Sequence, residues 1–225
     1  MSAIKKVFLD TNVLKFSATS LLRLKPRRAI LDWGHTKSEM VVHDLIHHNP
    51  NTRIRNPELR KESDLLEAVA RLVKDGKLRA FMQIEAEFES WGLPNMLGGG
   101  GFYGAPIEQA DAPIRYERIL MGAGFDAEVL QLRFLVGIKS PRFIELQKVT
   151  GAMQGNGKYC LRQLLDAFHI WCADHNCCDF FLTLDFSLIR MVAKHRFKLP
   201  LPVLVRPSEL LGALHLDEQV GRKLV

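Results

Sequence analysis

Apolar residues recur along this chain in two alternating rhythms. Brief runs at Ile4 to Leu9, Lys77 to Met82, Phe180 to Leu184 and Val203 to Val205 are too short for helices and predict buried strands. Between them lie longer stretches with apolar positions three and four apart. Leu65, Leu66, Val69, Leu72 and Val73 mark a helix stopped by Asp75-Gly76. Asp126 to Gly137 and Pro141 to Val149 read as two more. Leu161, Leu165, Phe168 and Cys172 then predict one amphipathic helix over Leu161 to His175, closed by the turn signal His175-Asn176. Strands alternating with helices argue for an α/β architecture: three layers, α/β/α, with a central, mainly parallel sheet.

Three acids stand at meaningful places in that pattern. Asp10 ends the first strand, Asp185 falls where the Phe180 run must end, and Asp166 lies near the start of the Leu161 helix, off its most apolar stripe. A carboxylate is a costly packing device unless something pairs with it. In open α/β sheets, ligands bind in the crevice at the carboxyl ends of the strands. These acids are remote in sequence and can meet only through the fold. Such a meeting needs a cation, and an all-oxygen donor set suits Mg²⁺ or Mn²⁺. Asp10-Thr11-Asn12 also has a local reading as a helix N-cap; for Asn12, capping and orienting an acid are compatible. Thr183 sits two residues before Asp185, so on a strand both side chains point the same way.

The blocks Leu9-Asp10-Thr11-Asn12, Leu164 to Ile170 (LLDAFHI) and Phe181 to Asp185 (FLTLD), in that order, resemble the PIN domain family of metal-dependent ribonucleases. The resemblance implies the same fold, RNA as substrate, phosphodiester hydrolysis, and one or two Mg²⁺ or Mn²⁺ ions held by four acids. Its remaining block is a glutamate on a helix after the second strand, for which Glu85, Glu87 and Glu89 compete. On a helix, Ile84, Glu87, Phe88 and Trp91 share one face, which points Glu87 inward and leaves Glu85 and Glu89 toward water. Glu87 is therefore the choice. The implied catalytic and metal-binding set is Asp10, Glu87, Asp166 and Asp185, with Asn12 and Thr183 orienting the ligands. One departure is visible: the family often carries a further acid two or three residues after the last one, where this chain has Ser187 and Leu188.

With 225 residues the chain is read as a single domain over 1–225, longer than a minimal PIN domain. The excess is assigned to 95–158, as an insertion and linker. That stretch includes Gly98 to Gly101, which lacks the ending of a phosphate-binding P-loop. Phe102 and Tyr103, with Arg115 and Arg118 downstream, are candidates to stack bases and hold phosphates of single-stranded RNA.

A net charge of +6 favours a polyanionic partner, and Arg23, Lys25, Arg27 and Arg28 form a basic cluster that either meets phosphates or is a solvated face. His43 and His47 have the i, i+4 spacing of a helical metal pair, but no acid or cysteine cluster accompanies them. The four cysteines form no C-x-x-C pair, so zinc is not expected and a reducing, cytoplasmic setting is. No apolar run reaches the ~18 residues of a membrane span. RNA is the expected partner, with a protein inhibitor or a second copy of the chain as further possibilities. The rival readings are a PIN-fold module that binds RNA or protein without cutting, and the toxin ribonuclease of a toxin–antitoxin pair.

Overall fold

The computed structural model describes residues 4–17, 21–32, 34, 37–48, 54–86, 101–116, 127–153, 158–195 and 200–214. Its main sheet contains β1 (Lys5–Leu9), β4 (Leu78–Met82), β5 (Ile107–Gln109), β6 (Phe180–Leu182) and β7 (Val203–Val205). The strands lie in the order β5-β4-β1-β6-β7, and every neighbouring pair is parallel. Helices cover both faces, giving the three-layer α/β/α arrangement expected from the sequence.

Alternation along the strands divides the core in two. Phe8, Phe81 and Phe181 turn to one face, where they meet α4 (Ala127–Gly137), α5 (Pro141–Val149), α6 (Leu161–His175) and α7 (Phe186–Ala193). Val7, Leu9, Ala80, Met82 and Leu182 turn to the other. There they meet α1 (Thr11–Ser17), Leu59 of α2 (Pro57–Asp64), α3 (Leu66–Lys74) and Leu210 of α8 (207–214). Both faces are apolar because both are covered, which is why these strands read as unbroken hydrophobic runs. The rings of Phe8 and Phe181 stack at 5.5 Å, and Phe143 stacks on Trp171 at 5.2 Å. Each such buried side chain contributes about 1.5–3 kcal/mol.

The turn from α6 into β6 is held locally. Asn176 donates its side-chain N–H to the Cys172 carbonyl at 2.7 Å, and Cys177 takes a left-handed φ of 51° that redirects the chain. Asp179 then accepts from the Lys6 backbone N–H at 2.8 Å and from Lys5 Nζ at 3.1 Å. These bonds fix where β6 starts beside β1, and Leu9 pairs with Leu182 as a result.

The segment after α1 forms an element that the apolar pattern did not predict. The basic cluster and the histidine-bearing stretch form a two-stranded antiparallel ribbon, β2 (Leu21–Asp32) and β3 (Lys37–His48), with pairing from Leu21↔His48 to Asp32↔Lys37. Arg27 pairs with Asp44 at 2.7 Å, and Arg28 with Glu39 at 3.5 Å. On a strand, positions 43 and 47 stand about 13 Å apart along the backbone, so the helical i, i+4 pairing does not arise. Within the stretch 95–158, the described residues include β5, which pairs with β4 in the main sheet, and α4 and α5, which pack on one of its faces. Among the described residues, no helix is long and apolar enough to cross a membrane.

Candidate functional site

The parallel sheet places two sequence-remote acids side by side. β1 has β4 on one flank and β6 on the other, so the strand order reverses there. Such a reversal leaves a crevice beyond the carboxyl ends of the two central strands. Asp10 follows β1 directly, and its backbone N–H donates to the Leu182 carbonyl at 3.1 Å. Thr183 follows β6, and Asp185 comes two residues later.

Thr183 is the centre of the resulting network. Its hydroxyl donates to Asp10 Oδ2 at 2.6 Å and accepts from the Asp185 backbone N–H at 3.0 Å. Asn12 Nδ2 donates to both Asp10 Oδ2 (2.5 Å) and Thr183 Oγ1 (3.0 Å), while Asn12 Oδ1 accepts from the Leu184 backbone N–H at 2.9 Å. Asp10 Oδ1 receives the Thr11 backbone N–H at 2.8 Å. Asn12 thus ties the β1 end to the β6 end, beyond any capping role. Asp10 is 5% exposed. Burial, with a smaller push from the Asp185 charge, raises its carboxyl to about 6 against the hydrogen bonds that favour the anion.

Asp185 caps α7. One carboxylate oxygen accepts from the backbone N–H groups of Ser187 (3.0 Å) and Leu188 (3.1 Å) and from the Ser187 hydroxyl. The other accepts from Arg162 Nη2 at 3.0 Å. Burial by itself would raise this acid, but the Ser187 and backbone bonds and the Arg162 charge outweigh it and hold it below the ordinary carboxylate value. Arg162 lies in the first turn of α6, and Asp166 follows one helical turn later on the same side of that helix. Asp166 is half-buried.

Glu87 lies outside the described residues. Glu85, expected from helical spacing to face water, is instead 3% exposed. It accepts from the Tyr116 hydroxyl at 3.1 Å and from Gln131 Nε2 at 2.7 Å, and Gln83 Nε2 donates to the same Tyr116 oxygen at 2.7 Å. Helical spacing alone leaves this face to solvent, whereas Tyr116 and α4 cover it. Burial, followed by the Glu85 charge, pushes the Tyr116 hydroxyl well up.

The proposed base-stacking pair requires a correction. Phe102 is fully buried in the core beside α3 and cannot meet a base, and Tyr103 is half-buried against the same cluster. Both adopt left-handed backbone angles, φ 49° and 56°, an unfavourable conformation for aromatic residues that this packing maintains. Arg115 is exposed, and Arg118 lies outside the described residues. His169, three residues after Asp166, is fully buried with no partner for Nε2 among the described residues, and burial lowers it to about 4.

Among the described residues, no group of three or more His, Cys, Asp or Glu side chains could hold a metal ion. What the fold does provide is a two-acid edge, Asp10 and Asp185, with Arg162 as its local counter-charge and Asp166 one turn along the same helix. The donors are all oxygens, which fits a hard divalent cation in chemistry. Arg162 was not singled out from sequence, and Glu85 was weighed with Glu87 and Glu89 as the fourth acid but placed toward water. The basic residue four positions before Asp166 was a usable signal for the first; nothing local announced the burial of the second. In comparisons with protein-family models, curated proteins and solved structures, nothing matches this chain.

Proposed function

We propose that the protein is a metal-dependent ribonuclease of PIN type, acting on RNA in the cytoplasm at the crevice between β1 and β6. The observation that carries this reading is the buried Asp10, tied through Thr183 and Asn12 to Asp185 at the point where the strand order reverses. A buried acid beside a second, half-buried one is rarely kept for stability alone, since Asp10 is costly to desolvate and the two charges repel. The fold class and the three sequence blocks are consistent with it.

In this reading, Asp10, Asp166 and Asp185 hold Mg²⁺ or Mn²⁺, with a glutamate from the stretch after β4 completing the set. A bound divalent ion supplies an activated water and charge stabilisation at the attacked phosphate. The protein's own groups do the rest. Thr183 and Asn12 fix the Asp10 carboxylate in one orientation, leaving Oδ1 its free lone pair. The Ser187 and Leu188 N–H groups keep Asp185 ionised at neutral pH. Arg162, 78% exposed at its side chain, has donors left over for a phosphate oxygen of the RNA.

A second reading, an RNA-binding module that does not cut, is favoured by the Arg162–Asp185 pair, which already neutralises one acid. One experiment separates them. Labelled RNAs are incubated with wild type and Asp10→Asn in Mn²⁺, in Mg²⁺ and in chelator. Metal-dependent cleavage lost in Asp10→Asn is the expected result; RNA bound but uncut under every condition supports the binding module.

A further inference from the structure

Away from the acid edge, a cavity of about 440 Å³ opens where α4 passes into α5. Small-molecule sites commonly span roughly 300–1,000 Å³. Its apolar lining is Ile114, Phe134 and Ile138. Phe134 is held in place by Tyr116, stacked at 4.6 Å, and by the edge of Phe168 at 6.0 Å, and Ile138 is buried, so this floor is fixed.

Two cations, Arg133 and Lys139, line the same cavity, and both are exposed. Neither side chain has a hydrogen bond or ion pair among the described residues. Arg142, a few residues on, contrasts with them: its donors go to Asp174 (3.0 Å), Glu145 (3.0 Å) and the Pro200 carbonyl (3.1 Å). Gly137 completes the lining, and a Cβ placed there would meet nothing within 4 Å. Its backbone is not in the left-handed region, so the fold does not require glycine at this helix end. The missing side chain leaves the cavity open.

We propose that this cavity binds a nucleoside monophosphate group, its base against Phe134, Ile114 and Ile138 and its phosphate between Arg133 and Lys139. Two cations suit a phosphate dianion better than a single carboxylate, and the guanidinium fork matches phosphate oxygens. An open cavity whose apolar lining includes the Phe134 ring offers a planar base a surface to stack on. The site needs neither metal nor cleavage, so it does not rest on the ribonuclease reading. A free nucleotide and the 5′-phosphorylated end of an RNA strand carry the same chemistry.

The test is calorimetric titration of the full chain with AMP in the presence of chelator. Saturable binding is expected, with adenosine weaker by about tenfold or more. Arg133→Gln and Lys139→Gln, both at exposed positions, should each weaken AMP by about tenfold, and Gly137→Leu should abolish binding while thermal unfolding shows all three variants folded. Displacement of AMP by a 5′-phosphorylated oligoribonucleotide, but not by its 5′-hydroxyl counterpart, identifies a strand end as the source; AMP undisplaced by either identifies a free nucleotide. The proposal is overturned if neither AMP nor the phosphorylated oligonucleotide binds, if AMP and adenosine bind equally, or if the three folded variants bind like wild type. Because metal is absent throughout, a failed cleavage assay leaves this result unaffected.

Discussion

Asp10→Asn separates the electrostatic cost of the buried acid from its structural bonds. The Asp10 carboxyl moves from an ordinary 3.8 to about 6 in the folded protein. Its contribution to stability is therefore complete below pH 3.8, where both states are protonated, and is lost as pH rises through 6. At about 1.4 kcal/mol for each pH unit between those two values, the loss amounts to about 3 kcal/mol. Asparagine carries no charge at any pH and escapes this loss. It does offer an N–H where one oxygen accepted, facing either the Thr11 N–H or the Asn12 and Thr183 donors. That mismatch costs about 1–2 kcal/mol but does not change with pH. The stability difference between Asp10→Asn and wild type should thus move in the variant's favour by about 2–3 kcal/mol from about pH 4 to about pH 7.5. Urea unfolding at four pH values in that interval, with chelator present, measures it. Taking the difference cancels other titrating groups common to both proteins. A difference that stays flat across the interval would refute the claim that Asp10 is ionised at a cost in the folded state.

Further outcomes can be checked in the same assay. Asp185→Ala removes the α7 cap and should cost about 1 kcal/mol at neutral pH, fading in acid as the wild-type carboxylate is protonated; Asp185→Asn should recover most of it. His169 falls from 6.5 to about 4, so wild type should lose up to about 3 kcal/mol as pH drops through that window, because only the unfolded chain binds the proton freely. His169→Leu should lose much less over the same range, and equal acid slopes would contradict the assignment. Tyr116→Phe strips a donor from Glu85 and leaves Gln83 Nε2 without its acceptor, at a cost of about 1–3 kcal/mol in thermal or urea unfolding. Glu85→Gln keeps an acceptor for Tyr116 and should cost less.

Where the sequence was informative, local periodicity and the buried sheet agreed. The α6 range Leu161–His175 and the β7 range Val203–Val205 were legible as they stand, because each combines a clean apolar rhythm with a strong stop. Asp10 and Asp185 were legible as neighbours because parallel strands bring their carboxyl ends to one edge. The ribbon was not: Pro26 interrupts a stretch that alternates poorly, and a two-stranded ribbon can accept a proline that an inner strand would reject. The burial of Glu85 and Phe102 depends on covering segments far along the chain, Tyr116 with Gln131 for one and α3 for the other. Local spacing carries no record of such cover. Composition likewise suggested an exposed aromatic pair after the glycine run, where packing made a core anchor.

The ribbon begins and ends at the same place, since Leu21 pairs with His48. A chain that departs and returns within one ladder spacing can be shortened without moving either point of attachment. Replacing 21–48 with a short flexible linker should therefore leave β1, α1 and α2 joined much as before, with thermal unfolding of the shortened chain as the check. A protein built this way can gain, lose or exchange the ribbon in a single genetic step. Asp10 and its partners would remain untouched by the exchange.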